Sequence, residues 1–408
     1  METFTSILLK RWRQFEHVEL DLSQRLCVLT GPNGCGKTTV LSVLGRHFGW
    51  NLNFLSASFL TKERKRIYGD AWDVFDEQVE RQFQIGTITY GDGSNATIEA
   101  PASKATQYNV RIQNQQQVHG LHIPSHRPPP GYARLETIPI NPKSAQQHYQ
   151  AYQSFLFQSY GEQPQRNPSV AMKEALIAFA VFGEGNRSVR SNAEYVEILK
   201  SFEEILRRLL PERIGFEAIE IETPDVILRT KSGTFPLESM SGGLNALFGI
   251  AWQIHMHGAA ATPCTVLIDE PENHLHPSMQ REFLPRLLEA FPSNKFVVAT
   301  HSPFVVSSTP DAAVYAMLFN EERRVTSTLL NESDLAASPN KVLREVLDVP
   351  VTMPLWVERR IEAILAEFHG VSFDAETIAL LRAKLRAEGL EDAFGDFIAQ
   401  PTSQDNPE

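Results

Sequence analysis

One stretch of nine residues, Gly31-Pro32-Asn33-Gly34-Cys35-Gly36-Lys37-Thr38-Thr39, limits the possible folds of this chain more than any other part. A short apolar run, 26–29, precedes it, and apolar residues at helical spacing, 40–44, follow it. This order predicts a buried strand, a glycine-rich turn and a helix. The spacing fits the phosphate-binding loop, G-x-x-x-x-G-K-[ST]. The sequence therefore predicts an α/β protein of the P-loop NTPase class.

The residue types of this loop suit the binding of a nucleoside triphosphate. Small residues let backbone N–H groups curl around phosphates, and the N-terminus of the following helix adds partial positive charge. Lys37 is predicted to reach the β- and γ-phosphates, and the Thr38 hydroxyl to ligate Mg²⁺. The candidate ATP-binding residues of the loop are Gly31, Asn33, Gly34, Cys35, Gly36, Lys37, Thr38 and Thr39. The alternative is a chance glycine turn before a helix.

An apolar strand that ends in two carboxylates, Asp269 and Glu270, is the second candidate for chemistry. A strand tip of this kind places one acid on Mg²⁺ and the next where it orients or deprotonates a water molecule. A second apolar strand, 296–300, ends at His301, which is predicted to contact the γ-phosphate. The alternatives are an ordinary acidic turn and a structural histidine.

Ser241-Gly242-Gly243 is predicted to open a helix that runs to about Met256. A serine hydroxyl, glycine backbone and a helix N-terminus together form an anion clamp. Taken alone the motif is weak, because Ser-Gly-Gly is also a common helix N-cap.

Composition narrows the class of protein. The 408 residues carry a net charge of −11, which argues against binding nucleic acid through overall charge. A local basic patch such as 61–66 leaves nucleic-acid contact open, although a solvated loop is the simpler interpretation. Three cysteines are too few for a disulfide framework, so we expect a reduced, cytoplasmic setting. No apolar run approaches the roughly 18 residues that span a membrane.

The order of patterns along the chain predicts one large domain and a helical extension. Residues 1–330 form the head, which has an N-terminal β-rich lobe and a helical insertion at about 144–212. The lobe includes strands at 4–10, 16–22, 82–90, 96–100, 108–113 and 118–124. Residues 331–400 are predicted to be a C-terminal helical region, and 401–408 a disordered tail. That helical region either caps the head or docks a partner.

Histidines recur in pairs or triplets, but their spacing does not match a recognisable zinc site. The sets are His274 with His276, His255 with His257, and His119 with His122 and His126. The expected metal is instead Mg²⁺, held by Thr38 and Asp269.

With its motifs in order, the chain resembles an ABC-type ATPase head of the SMC, RecF and OLD group. The motifs are GPNGCGKTT, SMSGGLNA, TVLIDEPE, NHLHP and ATHS, together with the basic-aromatic turn RWRQF. The string DEPENHLHP resembles the corresponding motif of the OLD-like branch. This branch includes ATPase subunits of the bacterial anti-phage systems Septu, PARIS and retron-associated modules. The resemblance covers about residues 1–320.

The resemblance implies roles for individual residues and for partners. Lys37, Thr38 and Asp269 would hold MgATP, Glu270 would polarise the attacking water and His301 would sense the γ-phosphate. Ser241, Gly242 and Gly243 would contact ATP bound to a second copy, so that two nucleotides join two heads in a homodimer or higher homo-oligomer. Arg13 would approach the nucleotide of its own subunit. The glutamine that normally joins the Mg²⁺ site has only weak candidates, Gln146 and Gln147, and Ser239 replaces a leucine of the signature.

Several biological roles fit this resemblance. A transporter subunit is disfavoured, because its phosphate loop and signature lie about half as far apart as Lys37 and Ser241 do. Long coiled coils of SMC type are missing, and the residues after His301 contain no Asp-x-Asp pair of a Toprim nuclease. We therefore expect a nucleotide-gated ATPase that controls a separately encoded effector, a nuclease or toxin, in anti-phage defence. A RecF-like repair ATPase and a nucleotide-bound scaffold without turnover remain alternatives.

Overall fold

The computed structural model describes residues 2–60, 66–69, 82–101, 106–128, 131–132, 134–135, 143–159, 167–185, 187–258, 263–331, 342, 355–368 and 375–390. The chain divides into two compact units, Met1–Ala337 and Ser338–Glu408. The predicted basic run at 61–66, most of the proline-rich stretch at 129–142, the predicted helix at 341–347 and the predicted disordered tail fall largely or wholly outside the described residues.

The first unit is built on a mixed sheet of eleven strands. The strands of the chain are β1 (Phe4–Trp12), β2 (Phe15–Asp21), β3 (Leu26–Thr30), β4 (Phe54–Leu55), β5 (Ala57–Leu60), β6 (Arg66–Gly69), β7 (Gln82–Tyr90), β8 (Asn95–Pro101), β9 (Gln107–Tyr108), β10 (Arg111–Gln113), β11 (Gly120–Ile123), β12 (Phe216–Glu222), β13 (Asp225–Thr230), β14 (Gly233–Pro236), β15 (Thr265–Asp269), β16 (Lys295–Ala299), β17 (Ala313–Phe319) and β18 (Val325–Leu329). The order in the large sheet is β10-β8-β7-β1-β2-β18-β17-β3-β16-β15-β11.

One half of this sheet is parallel. Strands β17, β3, β16, β15 and β11 run side by side in the same direction. The core strands β3 and β15 are buried at every position, which explains their apolar runs at 26–29 and 266–268. In a parallel array the carboxyl ends share one edge of the sheet, where ligands bind in open α/β folds. The segments after β3, β15 and β16 therefore emerge next to one another.

The other half is antiparallel and contains β1, β2, β7, β8 and β10. It is the predicted N-terminal β-rich lobe. One predicted member is misplaced: 118–124 was expected in this lobe, but β11 lies at the opposite edge, parallel to β15. The reason is burial, because all four residues of β11 are buried. Strands β17 and β18, which join the two halves, were not predicted.

Helices cover the parallel half. Their bounds are α1 (Lys37–Gly45), α2 (Ala145–Ser159), α3 (Pro168–Gly183), α4 (Ala193–Leu209), α5 (Gly242–Gly258), α6 (Pro277–Ala290) and α7 (Pro303–Val306), with α8 (Leu355–Ala366) and α9 (Ala375–Ala387) in the second unit. Helix α1 packs on β15, β16 and β11. Helices α2 and α4, from the predicted insertion, pack on α5. The α/β class is confirmed.

Each unit has its own apolar core. Among the described residues of the second unit, an apolar cluster is formed mainly by α8 and α9 and contains Val357, Ile361, Ile364, Phe368, Leu381, Leu385 and Leu390. Among the helices of the described ranges, none combines the length and the apolar character that crossing a membrane requires.

Candidate nucleotide-binding and hydrolysis site

Gly31 and Gly36, in the loop after β3, have backbone conformations that glycine accommodates more easily than other residues. Gly31 has φ +142°, and a Cβ there would lie 2.2 Å from the carbonyl oxygen of Met317. Gly36 has φ +101° and directly precedes α1. These backbone angles fall in the region that L side chains rarely adopt. The two glycines therefore let the loop curl closely over the end of the sheet before the helix begins.

The predicted lysine of this loop is buried and spans it. Lys37 Nζ donates to the carbonyl oxygens of Gly31 at 2.7 Å and Pro32 at 3.2 Å. Asn33, Gly34 and Thr38 are exposed on the same loop, whereas Cys35 is buried. Burial raises the pKa of the Cys35 thiol. The loop thus has exposed residues at the position where phosphates are expected, and the ammonium of Lys37 is held by carbonyl oxygens of the same loop.

Asp269 ends β15 and is buried, with 1 % of its surface exposed. Its Oδ1 atom has no hydrogen-bond partner in the described part of the chain. Burial raises the pKa of this carboxyl to about 6, and a hydrogen bond with the Thr38 side chain opposes the rise. A buried carboxylate oxygen without a partner is a place where a cation is expected. Thr38 and Asp269 therefore fit the predicted Mg²⁺ ligands.

Glu270 follows at once and has φ +46°, a left-handed conformation that is uncommon for a non-glycine residue. Its N–H donates to the Ala299 carbonyl at 2.8 Å, and its Oε2 accepts from Asn273 Nδ2 at 3.1 Å. The carboxylate remains partly exposed. The turn that follows β15 is therefore tied to the end of β16, with one carboxylate oxygen of Glu270 held by an amide.

His301 lies next to this carboxylate. Its Nδ1 is 3.6 Å from Glu270 Oε1 and 3.2 Å from Glu272 Oε1, and nearly half of its side chain is exposed. The phosphate loop follows β3, the acidic motif follows β15 and the histidine motif follows β16. These three strands are adjacent and parallel. The tertiary structure thus brings together Lys37, Thr38, Asp269, Glu270 and His301 at one edge of the sheet.

The signature residues lie at the start of α5. Ser241 and Gly242 are exposed, and Gly243 is buried. Ser241 Oγ accepts from the Leu244 N–H at 3.5 Å, as an N-cap does. A Cβ on Gly243 would lie 3.0 Å from the carbonyl oxygen of His274, so the helix packs closely on the segment after Glu270. The helix predicted to open at Ser241-Gly242-Gly243 is α5, and β14 and a 3-10 turn, Leu237–Ser239, precede it.

Two residues contact these segments that sequence reasoning did not single out. Gln14 Nε2 donates to the Gly34 carbonyl at 3.3 Å. Arg127 Nη2 donates to the Glu270 carbonyl at 2.9 Å. Gln14 belongs to the predicted RWRQF turn, which was a usable signal. Arg127 carried no signal, because its role depends on β11 lying beside β15.

Two other candidates, Arg13 and Gln147, contact neighbouring residues of the same chain. The Arg13 guanidinium lies 5.7 Å from the centroid of the Phe54 ring. Gln147 Oε1 accepts a hydrogen bond from the Ser144 N–H at 2.9 Å and so caps the N-terminus of α2. The assignment of the Mg²⁺-site glutamine to Gln146 or Gln147 therefore gains no support.

The histidine sets make structural contacts. His119 stacks on His257 with ring centroids 4.7 Å apart, and His255 Nε2 lies 2.9 Å from the Ile198 carbonyl oxygen. His276 Nδ1 accepts from the Ser278 N–H at 3.3 Å as the cap of α6. Within the described ranges, no group of three or more His, Cys, Asp or Glu residues could hold a metal ion.

Two segments of the chain match ATPase family models. Residues 6–119 match a family described as "AAA domain", and residues 190–307 match "AAA domain, putative AbiEii toxin, Type IV TA system". The two segments contain the phosphate loop and the signature, acidic and histidine motifs. The chain therefore carries AAA-family ATPase domain sequence.

Named proteins are similar to this chain over limited segments. Septu protein PtuA of Bacillus mycoides (strain KBAB4) is 35% identical over 97 residues, which are 22% of this chain and 14% of that protein. The Retron Ec83 probable ATPase of Escherichia coli is 29% identical over 145 residues, 32% of this chain and 26% of that protein. The chain thus spans less than a third of either relative. These matches support the predicted group.

Among solved structures, the SMC head domain from Thermotoga maritima is similar with a TM-score of 0.40 and 14% identity, over 80% of this chain and 99% of that one.

Proposed function

We propose that this protein hydrolyses ATP with Mg²⁺ at a site that a second copy of the chain completes. The observation that supports the proposal most strongly is that the lysine, the buried acid, the partly exposed acid and the histidine follow three adjacent parallel strands. P-loop proteins that hydrolyse nucleotides place a lysine, an acid that holds Mg²⁺ and a residue that positions the attacking water around the γ-phosphate.

Each residue has one task in this proposal. Lys37 leaves the loop carbonyls and neutralises the β- and γ-phosphates. Thr38 and Asp269 hold Mg²⁺, which supplies charge neutralisation of the phosphates when bound. Glu270 orients or deprotonates the attacking water, and His301 contacts the γ-phosphate.

The signature supplies the second half of the site. The exposed Ser241 and Gly242 at the N-terminus of α5 offer a hydroxyl and backbone N–H groups to an anion. In the proposed dimer, this anion is the γ-phosphate of ATP that is bound to the other copy of the chain. Association and nucleotide occupancy are then coupled, since release of the γ-phosphate removes the shared contact.

The biological role proposed is regulation of a separately encoded effector in anti-phage defence, in the cytoplasm. Support comes from the similarity to a Septu protein and to a retron ATPase. Genes adjacent to the one encoding this chain test it: a neighbouring nuclease or toxin that co-purifies with the chain supports the role. A neighbouring repair or replication cluster would favour a RecF-like function, with contact to DNA or RNA.

Hydrolysis is tested on the purified chain with and without its genomic neighbours. We expect Mg²⁺-dependent phosphate release from ATP, and loss of nucleotide binding in Lys37→Ala. Glu270→Gln should bind ATP, release no phosphate and accumulate as a dimer or larger oligomer in size-exclusion chromatography with light scattering. Unchanged assembly and nucleotide content in Glu270→Gln would favour the scaffold without turnover.

The shared site is tested by mixing two inactive variants. Lys37→Ala lacks the phosphate grip, and Ser241→Arg blocks the signature. A mixed dimer contains one complete site, with the loop of one chain and the signature of the other, so mixing should restore phosphate release. If each variant is inactive and the mixture stays inactive, the signature does not act on a second copy.

A further inference from the structure

A third carboxylate, Glu272, lies between the two loops that carry the proposed catalytic side chains. It sits in the turn after β15, two residues beyond Glu270, and is 5 % exposed. Its Oε1 accepts from Thr300 Oγ1 at 2.7 Å and from the His301 backbone N–H at 2.8 Å. Thr300 is fully buried, and its N–H donates to the Leu29 carbonyl at 2.9 Å. Glu272 therefore joins the ends of β15 and β16 beside the end of β3.

The same oxygen also lies within reach of the histidine ring. His301 Nδ1 is 3.2 Å from Glu272 Oε1 and 3.6 Å from Glu270 Oε1. A hydrogen bond at one ring nitrogen decides which nitrogen is presented to a ligand. Because Nδ1 is turned toward the buried carboxylate, Nε2 is the nitrogen available to a ligand.

We propose that Glu272 is a positioning residue, which holds the His301 imidazole at Nδ1 so that Nε2 faces the γ-phosphate. This inference rests on the proposed function, because it assigns a task only if ATP is bound beside His301. Carboxylates that orient a ligand-binding histidine through its second nitrogen have the same effect in metal sites.

Glu272 also lies closer to His301 Nδ1 than the proposed base, Glu270, does. Oε2 of Glu270 is held by Asn273 at 3.1 Å, so Oε1 is the oxygen left for a water molecule. That Oε1 is the alternative partner of His301 Nδ1. Without the Glu272 carboxylate the ring pairs with Glu270 instead, and both oxygens of the proposed base are then occupied. Loss of Glu272 is therefore expected to affect two steps at once: γ-phosphate contact and water activation.

A double-mutant cycle tests the inference on the full chain. Glu272→Gln keeps the shape of the side chain and an oxygen that accepts from Thr300 and from the His301 N–H, but removes the charge that holds the ring. We expect it to lower kcat by about 10- to 100-fold. His301→Ala should lower kcat at least as much, and the double variant should match His301→Ala within about threefold, because both changes remove one interaction.

Nucleotide affinity provides a measure that a purely structural role would not change in this way. Glu272→Gln should lower the preference for a non-hydrolysable ATP analogue over ADP to that of His301→Ala, with ADP affinity retained. If the glutamine variant does not fold, Glu272→Asp replaces it in the double-mutant cycle. Aspartate keeps the charge but is one methylene shorter, so the carboxylate is drawn away from the ring. Gln280→Ala is the matched control: it removes the acceptor of Ser302 Oγ, one residue beyond His301, without touching the ring.

The outcomes separate this inference from the proposed function. Multiplicative losses in the double variant, or equal losses of ATP and ADP affinity, would overturn the positioning role while leaving ATP hydrolysis standing. A wild-type chain that releases no phosphate, even with its genomic neighbours, would overturn the proposed function and the positioning role with it.

Discussion

At the scale of single residues, the phosphate loop depends on the absence of a side chain at Gly36. Its φ is +101°, and a Cβ there would lie 2.4 Å from Gln14 Nε2 and 2.5 Å from the Phe15 ring. The basic-aromatic turn after β1 is thus packed against the loop. Sequence reasoning identified both segments separately, and only the folded chain shows that they touch.

Gly36→Ala is expected to abolish ATP binding, because the left-handed conformation and the contact with Phe15 both oppose a Cβ. A strained non-glycine residue costs about 1–3 kcal/mol of stability. Gly249→Ala is the control, since it lies in α5 and a Cβ there would meet no atom within 4 Å. That change should stabilise the chain by about 0.5–1 kcal/mol. Titration with a fluorescent ATP analogue and chemical denaturation measure both effects; equal ATP affinity in the two variants would contradict the prediction.

His122 is a second residue of interest, because its buried environment makes the stability of the fold depend on pH. It lies on β11 against Trp50, with ring centroids 5.1 Å apart, and neither ring nitrogen has a hydrogen-bond partner among the described residues. Burial lowers the pKa of His122 to about 4. The folded state therefore binds fewer protons than the unfolded state between the ordinary histidine pKa of about 6.5 and pH 4, so stability falls as pH decreases through that window.

His122→Met should remove the share of this pH dependence that His122 contributes, while His47, His148 and His257, whose pKa values burial also lowers to about 4, keep theirs. We expect the unfolding free energy of the variant to exceed that of wild type by about 2 kcal/mol more at pH 5 than at pH 8. His17→Met, at an exposed histidine of β2, is the matched control and should leave the difference unchanged. Urea denaturation at the two pH values measures it. A wild-type-like decline in the His122 variant would contradict a buried neutral ring.

At the scale of elements, a buried ion cluster links the helical insertion to the signature. Lys173 of α3 is 1 % exposed, and its Nζ lies 2.7 Å from both Asp225 Oδ1 on β13 and Glu238 Oε1. Glu238 belongs to the 3-10 turn that leads to Ser241. Sequence reasoning treated α3 as an apolar helix and did not predict this contact.

Lys173→Ala is expected to destabilise the first unit by about 3–5 kcal/mol, since it leaves the Glu238 charge buried without its partner. Arg229→Ala is the control: Arg229 pairs with Glu217 at 3.1 Å on an exposed sheet face, where such pairs contribute about 0–1 kcal/mol. Chemical denaturation compares the two. Similar losses in both variants would show that the cluster is not specifically stabilising.

At the scale of the whole molecule, the proposed nucleotide site lies entirely within the first unit. Its phosphate loop, acidic strand, signature and His301 all precede residue 338. The described part of the second unit has an apolar cluster of its own, formed mainly by α8 and α9.

A chain that ends at Ala337 is therefore expected to bind ATP with an affinity within about threefold of the full chain, which changes the binding free energy by less than about 1 kcal/mol. Isothermal titration of both chains measures this. A truncated chain that folds cooperatively but does not bind nucleotide would show that the second unit contributes to the site.

The sequence by itself determined the local structures that carry the proposed chemistry. The phosphate loop, the strand that ends at Asp269, the strand that ends before His301 and the amphipathic α4 follow from apolar periodicity and glycine placement, which act over a few residues. The site residues other than Arg127, Gln14 and Glu272 were identifiable in this way, because their motifs lie next to predictable elements.

Only the tertiary structure decided how the strands are ordered and which distant residues meet. The place of β11 beside β15, the insertion of β17 and β18 between the two halves of the sheet, and the Glu272 contacts join residues far apart in the chain. Apolar periodicity predicts that a strand is buried, but it does not predict which strand lies beside it in the sheet. That choice is made by the packing of the whole core, whose side chains must fill the interior at close to crystal density.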